Sequence, residues 1–255
     1  MNNYINPYNY LGREAKYYNT QITYMLDKKT GDVNGDTIPD TVYLVGEKGE
    51  GPYYENIKVI VQDGRTMQQY VIPLYPQYSM SDSPWLFLGS FTNSNTVEIM
   101  VNLPVAGSGV PTYCYIISFL NNNAEYILGP EQFMELTKSL EIEVIYMDNY
   151  RVLVNSKKLD QSYILDISSR REVYEGTVYD KDGKLIKPLE GFVIYLPHLH
   201  SVKNDGSMPY KLEALQDIAG TAHYDQLGYI VTYWKYDEYN NSWILDPEYF
   251  FVMLE

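Results

Sequence analysis

Cysteine is almost missing. Cys114 stands alone among 255 residues, so no internal disulfide can form and the chain is not a disulfide scaffold. It lies in Thr112-Tyr113-Cys114-Tyr115-Ile116-Ile117, a strand pattern with nothing nearby to lower its pKa, and reads as a structural thiol rather than a nucleophile. Basic residues are also scarce. Nineteen Lys and Arg against 33 Asp and Glu give a net charge of -14, with a pI near 4.6. Phosphate backbones and anionic lipid surfaces are repelled by such a chain, so nucleic acid is not expected as a partner. No run approaches the roughly 20 apolar residues of a membrane helix, so no membrane insertion is expected either. The start, Met1 to Tyr10, lacks a basic region followed by an apolar core and does not read as a Sec signal.

Catalytic signatures are equally sparse. No G-x-S-x-G elbow occurs, and Gly107-Ser108-Gly109 reads as a loop tip. No glycine-rich phosphate loop opens a helix. Only three histidines are present. His198 and His200 share a face if their segment is extended, and with His223 they offer one route to a metal site. The spacing alone does not say whether the three converge. Carboxylate pairs are not readable from sequence, because their separation is spatial. A non-catalytic chain is the expectation.

Tyrosine is the excess: 28 residues, against seven Phe. It favours strands and gives surfaces that are both apolar and hydrogen-bonding. Two uses follow, half-buried strand positions and a sticky assembly surface. Tyr233-Trp234 and Tyr249-Phe250-Phe251 admit the same pair of readings, core packing or stacking on a sugar. Residues 1–20, rich in Tyr and Asn, read as an arm, and residues 21–255 as one β-repeat domain.

The strand signals are dense. Ile57–Val61 and Tyr70–Leu74 flank the turn Gln62-Asp63-Gly64-Arg65 and read as a hairpin. Val97–Leu103 with Thr112–Leu120, then Ile142–Met147, Arg151–Asn155 and Tyr163–Ile167, follow. Tyr229–Tyr236 and Ser242–Leu245 flank Asn240-Asn241. Lys211–Gly220 fits a strand or a helix. One short helix is expected near residues 130–140, from Pro130 at a first helical position and Phe133, Met134, Leu136 and Leu140 on one face.

The sharpest stretch is Gly31-Asp32-Val33-Asn34-Gly35-Asp36-Thr37-Ile38-Pro39-Asp40. Its side chains could wrap a hard cation through Asp32, Asn34, Asp36 and Asp40, with the carbonyl of Ile38. It is not an EF-hand, because Thr37 and Tyr43 replace the required Gly and Glu. The alternative is a turn whose side chains bond their own backbone. The stretch recurs 58 residues later as Gly89-Ser90-Phe91-Thr92, with Ser90, Thr92, Ser94 and Glu98 at the ligand positions. Ser201–Ser207 is a third, weaker copy, carrying Lys203. Such a period points to repeated β units.

Gly31–Leu44 and its copy at Gly89–Val101 resemble the FG-GAP/VCBS repeat family, which includes the calcium loops of integrin alpha-chain propellers. Leu86–Gly89, Tyr115–Phe119, Asp148–Val152 and Asp217–Gly220 are similar to VCBS-repeat proteins of spore-forming Gram-positive bacteria. The resemblance spans roughly residues 20–255, and Thr37 departs from its usual glycine. It implies a structural calcium ion (Ca2+) at Asp32, Asn34, Asp36, Ile38 and Asp40 only, and a role in surfaces or assembly. The expected fold is all-β: antiparallel meander repeats of about 60 residues, propeller-like, with a curved sheet or sandwich as the alternative. The expected function is a structural, self-associating protein of a spore coat or spore-associated body, otherwise cytoplasmic. Its expected partner is itself, with residues 1–20 as a contact. The alternative is a module binding a glycan or surface protein.

Overall fold

A computed structural model describes residues 22–48, 51–93, 95–107, 111–203 and 208–254. The arm at 1–20, Ser94, the Ser108-Gly109 tip and Asn204–Ser207 lie outside them. The chain forms two compact units, one ending at Pro130 and the other holding Glu131–Glu255 with residues 107–112.

The first unit is two successive four-stranded antiparallel meanders. The first comprises β1 (Thr23–Gly31), β2 (Asp40–Lys48), β3 (Tyr54–Gln62) and β4 (Gln69–Pro73). The second comprises β5 (Trp85–Gly89), β6 (Glu98–Pro104), β7 (Thr112–Ser118) and β8 (Glu125–Leu128). Alternation decides the buried face. Ile57, Val59 and Val61 of β3 meet Val42 and Leu44 of β2 in a core shared with Ile99, Val101 and Leu103 of β6. Each such side chain contributes roughly 1.5–3 kcal/mol. Cys114 on β7 is buried and free, as its strand pattern implied, and burial pushes its thiol pKa up.

The second unit opens with α1 (Pro130–Lys138), whose Glu131 and Lys138 suit the helix dipole. The expected helix is therefore present, although Leu140 lies beyond its end. Phe133 packs edge-on against Trp234 at 5.6 Å. A three-stranded sheet follows: β9 (Ile142–Met147), β10 (Arg151–Ser156) and β11 (Gln161–Asp166), in the order β11-β10-β9. A single 3-10 turn leads into α2 (Arg171–Tyr174), a piece too short to leave a helical period in the sequence.

The last sheet is built on β14 (Lys211–Ala219), which pairs with β12 (Phe192–Val193), β13 (His198–Val202) and β15 (Gln226–Asp237). The ambiguous segment is thus a strand. Leu212, Ala214, Gln216 and Ile218 are all fully buried, and a period of two fits that set where a helical period would scatter it. β16 (Ser242–Leu254) pairs with β15 and closes the sheet at its edge.

The antiparallel β architecture is as expected. The described residues form four separate sheets, and no closed ring of blades is seen among them. Many tyrosines are spent inside the units. Tyr75, Tyr115 and Tyr126 form one ring cluster, and Tyr146, Tyr150, Tyr174 and Tyr179 form another. Tyr75 keeps 37% of its surface exposed at the edge of its cluster, and Tyr224 and Tyr239 are 80% and 92% exposed. Among the described residues, no helix is long and apolar enough to cross a membrane.

Candidate functional site

The loop from β1 to β2 brings Asp32, Asn34, Asp36, Ile38 and Asp40 together through backbone bonds. Asp32 accepts the N–H groups of Gly35 (2.8 Å), Asp36 (3.1 Å) and Thr37 (2.8 Å). Thr37 has φ 70°, a left-handed conformation unusual for a β-branched residue. Asn34 accepts from Asp36 N–H, and Asp36 from Ile38 N–H. Asp40 is buried and receives the N–H groups of Val33 (3.0 Å), Asn34 (3.2 Å) and, from the β3–β4 turn, Gly64 (2.9 Å).

That turn adds the second half of the cluster. Asp63 accepts from the N–H groups of Arg65 and Thr66 and from the Asn122 carboxamide. Asn34 Nδ2 lies 3.4 Å from Asp40, 3.5 Å from Asp63 and 3.1 Å from Asn122 Oδ1. Arg65 Nε pairs with Asp36 at 2.7 Å. The Arg65 guanidinium, then the Ile38 amide, holds the Asp36 carboxyl below its usual pKa. The Thr66 amide does most to lower Asp63.

The expected calcium ligands are thus gathered, yet their carboxylates already serve as acceptors for N–H groups, and Asp36 is turned to a cation. Among the described residues, no group of three or more His, Cys, Asp or Glu side chains is arranged to hold a metal. The second meander holds a related arrangement. Phe91 N–H donates to Glu98 at 2.8 Å, as Val33 N–H does to Asp40. Both bonds span seven residues, and the two donors lie 58 apart in the chain. Around Glu98, the hydroxyls of Thr92 and Thr96 supply further donors at 2.5 and 2.7 Å. The shared element is a carboxylate at the start of one strand, pinning the loop that precedes it. Adding a chelator such as EGTA is therefore expected to leave the thermal midpoint of the first unit unchanged. A fall on chelation would put a calcium ion at Asp32–Asp40.

The histidines separate. His198 and His223 line a polar pocket of about 250 Å³ with Asp217 and Gln226. His200 sits instead 3.6 Å from Glu213. Tyr233 donates to that same Glu213. Trp234 and Phe250 are buried, as the packing reading expected, whereas Phe251 is exposed.

A second concave feature of the second unit was not legible beforehand. Arg170, Val178, Lys187, Leu189, Tyr224 and Asp225 line an open groove of about 900 Å³. Its floor is a polar network. Tyr174 donates its hydroxyl to Asp225 Oδ1. Thr221 gives Asp225 Oδ2 an N–H at 2.8 Å and a hydroxyl at 3.0 Å. Arg170 donates to the Gln226 carbonyl and lies 3.9 Å from Asp225. Burial, followed by the bond to Asp225, pushes the Tyr174 pKa up to about 12, so this phenol stays protonated and acts as a donor. The loop from β14 to β15 supplies Thr221, Tyr224 and Asp225, three short-range neighbours in sequence. Arg170 and Lys187 arrive from elsewhere in the chain.

Two comparisons match this chain. The YybI C-terminal domain family matches residues 140–251, a span that lies inside the second unit and holds the whole groove. Over 208 residues the chain is 35% identical to the "Uncharacterized protein YybI" of Bacillus subtilis (strain 168), covering 81% of this chain and 78% of that protein. The chain belongs to the YybI family. No solved structure matches it.

Membership in the YybI family overturns the FG-GAP/VCBS resemblance, for which no family model matches. The physical reason lies in the loop. Asp and Asn at alternate positions serve a turn that bonds its own amides as well as they serve an ion. The family model, moreover, matches a span that begins beyond both pinned loops.

Proposed function

We propose that this YybI-family protein is a non-catalytic structural component that self-associates in a bacterial surface layer, most plainly a spore coat or spore-associated body. The observation that supports this reading is β16. It is a 13-residue strand at the edge of its sheet. Its last stretch, Tyr249-Phe250-Phe251-Val252-Met253-Leu254, carries no charge and no proline. Phe251, Met253 and Leu254 are 44%, 46% and 48% exposed. A long, apolar edge is a template for pairing with another strand. The Bacillus relative fits a spore setting, and the Tyr/Asn-rich residues 1–20 offer a second contact.

Light scattering and sedimentation test the reading. The full chain is expected to form oligomers that Phe251→Lys reduces to monomer, since a charge on that edge blocks pairing. Removal of residues 1–20 is expected to shrink the assemblies further while leaving the folded units intact. Oligomers of unchanged size in both variants would sink the proposal.

A further inference from the structure

The groove of the second unit differs in charge from the rest of the molecule. Its charged lining residues are Arg170, Lys187 and Asp225, two cations against one anion, on a chain of net charge -14. Asp225 is already bonded through both oxygens, to Tyr174 and to Thr221. Its carboxylate keeps its charge, which the Arg170 guanidinium 3.9 Å away offsets. Lys187 is exposed and has no ion-pair partner among the described residues. With Arg170 offsetting Asp225, Lys187 is the uncompensated cation of the lining, and a ligand that fills the groove gains from carrying negative charge beside it.

Shape and side-chain type narrow the ligand. The volume lies in the range of small-ligand sites. Tyr224 presents its ring at the rim, 80% exposed, one residue from the braced Asp225. Thr177, Thr221 and Gln226 add polar groups among the lining residues, while Val178 and Leu189 keep part of the wall apolar. An exposed aromatic ring beside hydroxyl and amide groups suits a sugar, whose ring faces are apolar and whose edges are hydroxyls. An extended peptide would want an open strand edge. The edge of β9 beside Leu189 is closed: Tyr146 N–H donates to Leu189 O at 3.0 Å, and Gly191 N–H to Val144 O at 2.8 Å.

We propose that this groove binds an acidic saccharide, with the sugar carboxylate set toward Lys187 and Arg170 and one ring face stacked on Tyr224. The site uses none of the residues assigned to assembly, so the two proposals fail independently.

Calorimetric titration of the full chain with trigalacturonic acid tests it, beside maltotriose as the neutral sugar and hexaglutamate as the acidic peptide. Trigalacturonate is expected to bind in the millimolar range or tighter. Tyr224→Ala and Lys187→Ala, both exposed positions whose loss leaves the fold intact, are each expected to weaken binding about tenfold. The Lys187→Ala variant should also show a flatter dependence on salt. Absence of trigalacturonate binding at millimolar concentration would overturn the proposal, as would binding unchanged in both variants. Equal binding of maltotriose would remove the acidic requirement, and preference for hexaglutamate would replace the sugar with a peptide.

Discussion

Replacing Asp40 with alanine is expected to destabilise the first unit by about 3–5 kcal/mol. The carboxylate is fully buried and accepts the N–H groups of Val33, Asn34 and Gly64. Alanine leaves three amides without an acceptor, at roughly 1–3 kcal/mol each, less what an entering water recovers. The loss also releases the β1–β2 loop from the β3–β4 turn, because the Gly64 bond is one link between them. Gly64 approaches the Pro39 carbonyl so closely that even a Cβ would collide with it. Asp40→Asn is expected to recover less than half of the loss, since its NH2 group would face a backbone donor. Urea unfolding followed with fluorine-labelled tryptophan separates the units, Trp85 reporting on the first and Trp234 and Trp243 on the second. A loss below about 1 kcal/mol, less than one unsatisfied buried donor costs, would mean that solvent or an ion satisfies these amides.

Most of the fold was legible because a strand writes its burial with a period of two. Ile57, Val59 and Val61 face the core as read, and Pro130 does start a helix. Lys211–Gly220 was ambiguous because its small and polar members, Ala214 and Gln216, hide the alternation that burial reveals. The 58-residue repeat was also legible, but its meaning was misread. Side-chain spacing at Asp32–Asp40 records that oxygens converge on a loop, and it does not say whether N–H groups or a cation receive them. What the second copy retains is the pinning carboxylate, Glu98.

The groove was illegible for a different reason. Arg170, Lys187 and Asp225 come from three separated segments, and none sits in a motif. Only His223 drew attention to the β14–β15 loop, and it faces the neighbouring polar pocket. Tyrosine count was a weak guide as well. Among the described residues, many tyrosines go into ring clusters, while Tyr75, Tyr224 and Tyr239 stay exposed.

Gly220 is where the groove's floor is most sensitive. Its backbone N–H bonds to the Asp225 carbonyl at 2.8 Å, closing the loop that carries Tyr224 and Asp225. A Cβ there would run into the Tyr146 hydroxyl and the Asp225 carboxylate. Neither can withdraw easily. Tyr146 is buried within its ring cluster, and Asp225 is held by Tyr174 and Thr221. Gly220→Ala is therefore expected to cost the second unit about 1–3 kcal/mol for overpacking. A further loss of about 1.5–3 kcal/mol follows if the Tyr174–Asp225 bond breaks, because hydrogen bonds to charged groups lie in that range. The same urea experiment reads the effect through Trp234 and Trp243, and Trp85 should not respond. Freed from Asp225, the Tyr174 phenol should titrate below its native value of about 12, visible as an earlier rise in tyrosinate absorbance. If stability and tyrosine titration both stay as in the parent chain, the braced floor is not what shapes this loop.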